Sequence, residues 1–272
     1  MLLWKSDGCK TCKGRCKGRV KPVLLKIGGS VLTDKGRECT FNMQNIRRIA
    51  GEIARASVPI VIVHGAGSFG HPQAKKHHIQ QNPDTEGLVK THRAVLELNT
   101  VFVETLQEEG VAAIGVHPLN CLLAKRGIVK QWGVEIIKRL VDFGVTPVIH
   151  GDVVVDTIDG ISVISGDRIL TYLAKTLDVA VIGAGTVVDG VLDKNEKTIP
   201  HITPSNFKDV SDYIGGSTGD DVTGGMRGKV LELLKLAESG IESVIFNANL
   251  NNMVFNFLSG EAIPATRISG AE

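Results

Sequence analysis

The chain has 272 residues, of which 43% are hydrophobic and only 4% aromatic, with 31 glycines and a net charge of +2 at pH 7. No apolar run approaches the roughly 18 residues of a membrane-spanning helix, and the N-terminus lacks the apolar middle of a secretory signal, so a soluble, cytoplasmic protein is expected and membrane partners are not. Seven basic residues against one acid put residues 1–21 at +6 and leave the remainder at −4, which excludes a global nucleic-acid footprint.

Abundant Val, Ile, Leu and Gly with few aromatics suit a mainly parallel sheet covered by helices on both faces, as one large α/β domain or two lobes sharing a sheet. Within residues 1–21, Cys9, Cys12 and Cys16 have half the spacing of a zinc site. Neither Cys39 nor Cys121 supplies a second pair, so no metal site is assigned and the segment is read as a disordered basic extension.

Residues 23–27 predict a buried strand ending in the turn Gly28-Gly29-Ser30. Lys26 inside this apolar run is the anomaly: it either reaches a phosphate above the strand end or snorkels from a sheet edge. Lys35 in the following loop adds a second cation, and Ile46, Ile49, Ile53 and Ala54 predict a helix over 42–57. The stretch 59–72, PIVIVHGAGSFGHP, reads as another buried strand running into a glycine-rich turn and a helix. Unsatisfied N–H groups, glycines that let an anion approach the backbone, and the positive helix end make Gly65, Ala66, Gly67 and Gly70 a candidate phosphate cradle, with His71 at its exit. The spacing Gly65-x-Gly67-x-x-Gly70, followed by Asp84 or Glu86, also fits a dinucleotide fingerprint, although a complete strand and helix precede it. A structural tight turn is the third reading, and a core role is the alternative for His71.

Residues 87–109 predict a long amphipathic helix, 111–116 a strand, 132–143 a helix and 145–149 a strand ending in His150-Gly151-Asp152. Asp152 can orient lysines, bind magnesium or cap a turn. A hairpin over 153–155 and 161–164 leads to Ser165-Gly166-Asp167, an N-cap first and an anion contact second, and a helix over 168–177. Further on, 179–182 predict a strand, Gly183-Ala184-Gly185 a flexible turn, 186–192 a turn and strand, 193–206 a loop and 207–214 a short helix. A polar, glycine-rich loop including Gly224 precedes a helix over 227–239. Lys229 in that helix's first turns opposes the dipole and so points to an anion nearby. Strands at 243–247 and 265–268 complete the sheet.

The Walker, nucleophile-elbow, kinase catalytic-loop and zinc His-Glu-x-x-His motifs are absent. Glycine turns at several strand ends, three lysines, an aspartate and a histidine instead suit phosphoryl transfer by positioning and charge neutralisation. The ordered set Leu25–Lys35, His64–His71, His150–Asp152, Ser165–Asp167 and Asp221–Lys229 resembles the isopentenyl phosphate kinases of the amino acid kinase superfamily, over residues 22–269. The resemblance implies a three-layer αβα sandwich with an acceptor lobe at 22–178 and a nucleotide lobe at 179–272. It also implies a homodimer formed through the acceptor lobes, with ATP and Mg2+ as co-substrate and cofactor.

Carried over, Lys26 and Lys229 bridge the transferred phosphoryl group, Lys35 assists on ATP, and Asp152 holds the lysines. Gly65, Ala66, Gly67, Gly70, His71, Gly151, Ser165 and Gly166 grip the acceptor phosphate; Gly28, Gly29, Ser30, Asp167, Asp189, Gly190 and Gly224 face the nucleotide. The family reads Thr-Asp-Val-Asp-Gly-Val where this chain has Thr186-Val187-Val188-Asp189-Gly190-Val191, so Val187 removes a polar group expected beside the nucleotide. The function implied is ATP-dependent phosphorylation of isopentenyl phosphate to isopentenyl diphosphate for isoprenoid synthesis. A small-phosphonate or other phosphomonoester kinase of the fosfomycin-kinase kind, and a nucleotide-binding protein without turnover, are the alternatives.

Overall fold

The computed structural model describes residues 21–212, 214 and 225–270. The basic tail with Cys9, Cys12 and Cys16, and the loop with Gly224, lie outside the described residues. In chain order the elements are β1 (Val23–Ile27), the single-turn α1 (Gly29–Leu32), α2 (Met43–Ala56), β2 (Ile60–His64), α3 (Gly67–Lys76), α4 (Thr85–Glu108) and β3 (Ala113–Val116). There follow β4 (Leu122–Lys125), β5 (Ile128–Trp132), α5 (Glu135–Asp142), β6 (Thr146–His150), β7 (Asp152–Asp156), β8 (Gly160–Ile164) and α6 (Gly166–Thr176). The last third holds β9 (Val181–Thr186), β10 (His201–Ile202), α7 (Phe207–Ser211), α8 (Gly225–Ala237), β11 (Ser243–Asn247), α9 (Met253–Leu258) and β12 (Ala265–Ile268).

Eight strands form one sheet in the order β10-β12-β11-β9-β1-β2-β6-β3. The pairs from β11 through β9, β1, β2 and β6 to β3 are all parallel, so their C-terminal ends share one edge of the molecule; β12 runs antiparallel to β11. Alternation along β1 sends Val23, Leu25 and Ile27 to one face, where α2, α4 and α9 cover them. Leu24 goes to the other face with α6 and α8, and Lys26, two residues on, follows it. The result is the three-layer αβα sandwich with a mainly parallel sheet. A smaller sheet, β5-β4-β7-β8, folds over the α6 side and adds Trp132, Val154 and Ile164 to its core.

Three local expectations are corrected. Trp132 ends a strand, and only Glu135–Asp142 is helical, because 122–132 pair as the hairpin β4–β5. Gly183-Ala184-Gly185 is not a turn but the buried middle of β9. Its glycines answer to packing: a Cβ on Gly183 would overlap the Phe257 ring, and one on Gly185 would stand 2.8 Å from the Ala248 side chain. Thr186 ends β9, and residues 187–192 form no strand, only an isolated bridge between Leu192 and Thr198.

Candidate functional site

The parallel strands deliver their chemistry to one edge. Lys26, one residue from the end of β1, points into the α6 layer with 7% of its side chain exposed. Its Nζ lies 2.6 Å from Oδ1 of Asp167, in the first turn of α6, and the same oxygen is 3.1 Å from Nζ of Lys229 on α8. One carboxylate thus holds two ammonium groups. Burial pulls Lys26 down to about 8, against the attraction of Asp167, and Lys229 lowers it further. Against its own desolvation, Asp167 is held well below the usual carboxylate range by Lys229 and Lys26.

Beside this centre, the turns after β1 and β2 touch backbone to backbone. A Cβ on Gly29 would overlap Gly67, and one on Gly65 would stand 2.6 Å from the Gly29 nitrogen, so neither position tolerates a side chain without separating the loops. Gly67 also has φ +52°, where a Cβ is strained. Among the described residues, the N–H groups of Gly29, Ser30, Ala66 and Gly67 find no protein acceptor, while Ser68 N–H is taken by Thr33 Oγ1 at 3.0 Å. Four free amides on two touching loops, two of them opening α3, are placed to receive an anion. The peptide around Gly151 and Gly166 closes the third side: Gly151 N–H donates to the His64 carbonyl at 3.0 Å, and a Cβ on Gly166 would stand 3.1 Å from that oxygen. Ser165 caps α6 through its hydroxyl, which accepts from Arg168 N–H at 3.3 Å. Gly70 packs against Ala66 and Val95, tying α3 to α4.

His71 is exposed, so the core reading of this residue is set aside. Lys35 stands exposed in the loop after α1 and takes no part in the Asp167 pair. Asp152 is not where an orienter of the lysines must be. Buried at 3% exposure, it accepts from His92 Nδ1 at 3.0 Å, Leu119 N–H at 3.2 Å and Val153 N–H at 2.9 Å, and Asp167 stands on the lysines instead. Burial raises Asp152, partly offset by His92; the His92 ring is raised by its hydrogen bond to Asp152.

Sequence reasoning passed over two histidines that the structure places under the cradle. His64 and His150 face each other across adjacent strands with no exposure, ring centroids 5.7 Å apart. Burial lowers His64 to about 4 and keeps His150 well below its ordinary value, so both are neutral. The signal was in the sequence as a repeated His-Gly at two strand ends, 64–65 and 150–151.

Of the residues expected to face a nucleotide, Gly28 donates to the Gly185 carbonyl at 2.9 Å, binding the β1 turn to β9. Asp189 is exposed and accepts from Asn247 Nδ2 at 2.8 Å. Gly190 answers to packing, since a Cβ would stand 2.5 Å from Thr266 Oγ1. Val187 packs on the α2-side core. A surface hollow of about 620 Å³ lies elsewhere, between Arg47, Arg48, Glu52, Arg55 and Glu109, and none of the cradle residues lines it. Among the described residues no three His, Cys, Asp or Glu side chains are placed to hold a metal ion, and no helix is long and apolar enough to cross a membrane.

Residues 21–247 match the model of the amino acid kinase family. The chain is 37% identical to the isopentenyl phosphate kinase of Methanothermobacter thermautotrophicus, covering 91% of this chain and 99% of that protein. It is 34% identical to the isopentenyl phosphate kinase of Methanocaldococcus jannaschii, over 92% and 99%. An X-ray structure of isopentenyl phosphate kinase superposes with a TM-score of 0.79 at 34% identity, over 90% of this chain and 99% of that one.

Proposed function

The chain belongs to the amino acid kinase family and groups within it with the isopentenyl phosphate kinases, and from that premise we propose that it transfers the γ-phosphoryl group of ATP to isopentenyl phosphate, giving isopentenyl diphosphate. The observation that carries this reading is the Lys26–Asp167–Lys229 centre standing beside four free amides on two touching strand-end loops.

A phosphate monoester is mostly dianionic at pH 7, its second pKa being near 6, so the acceptor oxygen attacks without a general base. Repulsion between two polyanions is the obstacle, about 4 kcal/mol for unit charges ~4 Å apart at an effective dielectric of ~20. Lys26 and Lys229 answer that repulsion from one side, held ready by Asp167. The amides of Gly29 and Ser30 suit the donor's phosphates, and those of Ala66 and Gly67, with His71, the acceptor's. The division into an acceptor lobe at 22–178 and a nucleotide lobe at 179–272 is part of the proposal, and the parallel pairing of β1 with β9 at the centre of the sheet, where the two lobes would meet, supports it. Asp152 acts at a distance, bracing α4 and the turn at Leu119.

Mg2+, in this reading, would come on the nucleotide's phosphates and would supply charge neutralisation there; a metal of that kind needs few protein ligands, which fits a centre where, among the described residues, Asp167 is spent on two lysines. A cytoplasmic homodimer is part of the proposal. In its support, β3 ends the large sheet as an edge strand and exposes Ile114, with Val89 exposed on neighbouring α4.

Purified protein supplied with ATP, Mg2+ and isopentenyl phosphate is expected to release ADP in step with isopentenyl diphosphate. Turnover with a phosphonate alone points to the fosfomycin-kinase alternative. ATP binding without product from any acceptor points to the silent binder.

A further inference from the structure

His64 touches nothing that the reaction consumes, yet the acceptor side of the site is built around it. Its carbonyl accepts from Gly151 N–H and underlies Gly166, so the three glycine turns meet on this one residue. Its ring lies on the opposite side of the sheet from Lys26, against Phe102 and Asn99 of α4. Nδ1 is 3.0 Å from the Gly65 carbonyl. A carbonyl only accepts, so Nδ1 carries the proton. Nε2 is 3.0 Å from Asn99 Nδ2, which only donates, so Nε2 carries none. Asn99 is itself anchored by a second bond, Nδ2 to the Val148 carbonyl at 3.3 Å.

The consequence lies one peptide further on. In a trans peptide the C=O and N–H are antiparallel, so a ring that draws the Gly65 carbonyl towards itself turns the Ala66 N–H away from the buried ring. Ala66 N–H is one of the four amides with no protein acceptor. We propose that His64 is a positioning residue of the phosphate cradle: locked by Asn99 as the Nδ1–H tautomer, it fixes the Gly65–Ala66 peptide so that the Ala66 N–H is presented to the acceptor phosphate. This rests on the acceptor reading given above. The same device recurs at the next strand, where His150 Nδ1 donates to the Gly151 carbonyl at 3.1 Å and its Nε2 accepts from His117 Nδ1 at 3.0 Å.

The test compares wild type, His64→Phe and His64→Asn. Phe keeps a ring but offers no donor; Asn carries its Nδ2 where the imidazole carries Nδ1, one bond from Cγ. Loss of one well-aimed donor to an anionic phosphate is worth roughly tenfold. The KM for isopentenyl phosphate should therefore rise about tenfold in His64→Phe and return most of the way in His64→Asn, with the KM for ATP within twofold throughout. An unchanged acceptor KM in His64→Phe, or an equal loss in both variants accompanied only by a fall in Tm, overturns the proposal. Should His64→Phe fail to fold, Asn99→Leu removes the lock without touching the cradle and must itself raise the acceptor KM. Independently of turnover, nitrogen-15 spectra of the wild-type imidazoles must show His64 as the Nδ1–H tautomer; an Nε2–H signal overturns the assignment. Absence of turnover by wild type refutes the kinase reading instead, and the tautomer then decides the role of His64.

Discussion

Replacing Asp167 by Asn keeps the shape of the charged centre and removes the one negative charge that the described residues place between the two lysines. The carboxylate sits 2.6 Å from Lys26 and 3.1 Å from Lys229, and the two lysines repel each other across it. Unit charges at about 4 Å and an effective dielectric of about 20 attract by ~4 kcal/mol, close to three pKa units. Lys26 stands at about 8 with Asp167 beside it, so this loss carries it below neutrality and discharges it at pH 7. Loss of one preorganised charge at a transferring group costs about 10²–10³ in kcat. We therefore expect Asp167→Asn to lose two to three orders of magnitude in kcat, with a much smaller change in acceptor KM, because the acceptor's amides lie on other elements. The pH profile gives an independent readout. kcat/KM for ATP reports the free enzyme; since the protonated Lys26 is the active form, wild-type activity should fall as pH rises through about 8. In the variant that limb should move acidward by two to three units. A folded variant that keeps more than a fifth of wild-type kcat, or whose alkaline limb does not move, refutes the role given to Asp167.

Three further outcomes follow from local geometry. His71→Ala, at an exposed position, should raise the acceptor KM at least tenfold and leave Tm within a degree or two; lost stability with unchanged kinetics speaks against an acceptor contact. Gly183→Ala drives a methyl into the Phe257 ring and should cost about 1–3 kcal/mol in chemical denaturation, recovered in part by Phe257→Leu, and a neutral result contradicts the packing account of β9. Glu52, 3% exposed on α2, accepts from Arg48 and from the N–H groups of Asn252, Val254 and Phe255 at the start of α9; Glu52→Gln sets an amide donor against those donors and should cost about 2–3 kcal/mol, whereas an unchanged Tm shows that α9 does not depend on it.

Periodicity made the parallel sheet and its covering helices legible, since β1, β2, β6 and β11 are short, mostly apolar runs and α2 carries a clean apolar stripe. Lys26 stood out because a charge in such a run has no bland partner along the chain. What failed was everything fixed by a contact distant in sequence. Gly183 and Gly185 look like a turn until Phe257 and Ala248 are known to fill the space above them. Asp152 and Asp167 are equivalent in sequence, each an aspartate after a glycine at a strand end; only the α6 layer decides which one meets Lys26. His64 stood in the sequence only as the residue where the strand runs into the glycine-rich turn, and the role proposed for it depends on Asn99, 35 positions away. The helix α9 is six residues capped by a carboxylate two hundred positions earlier, a signal no local window contains.

The placement of β1 explains why one lysine and so many glycines must occur together. It lies between β2 and β9, with Lys26 paired to Val63 on one side and to Ala184 on the other. Its terminal loop is therefore the only one of the three able to touch both neighbours: Gly28 bonds to Gly185, while Gly29 packs on Gly65 and Gly67. Side chains at Gly29 or Gly65 would push the two loops apart and carry the Gly29 and Ser30 amides away from those of Ala66 and Gly67. Two anion sites a few ångströms apart are what phosphoryl transfer between polyanions requires, and nothing but bare backbone brings two such sets of donors so close. One cation comes from α8, as Lys229, and the other from within the sheet, because the glycines where the loops touch carry none. That is the position of Lys26, buried in β1 at a cost in its own basicity and returned to charge by Asp167.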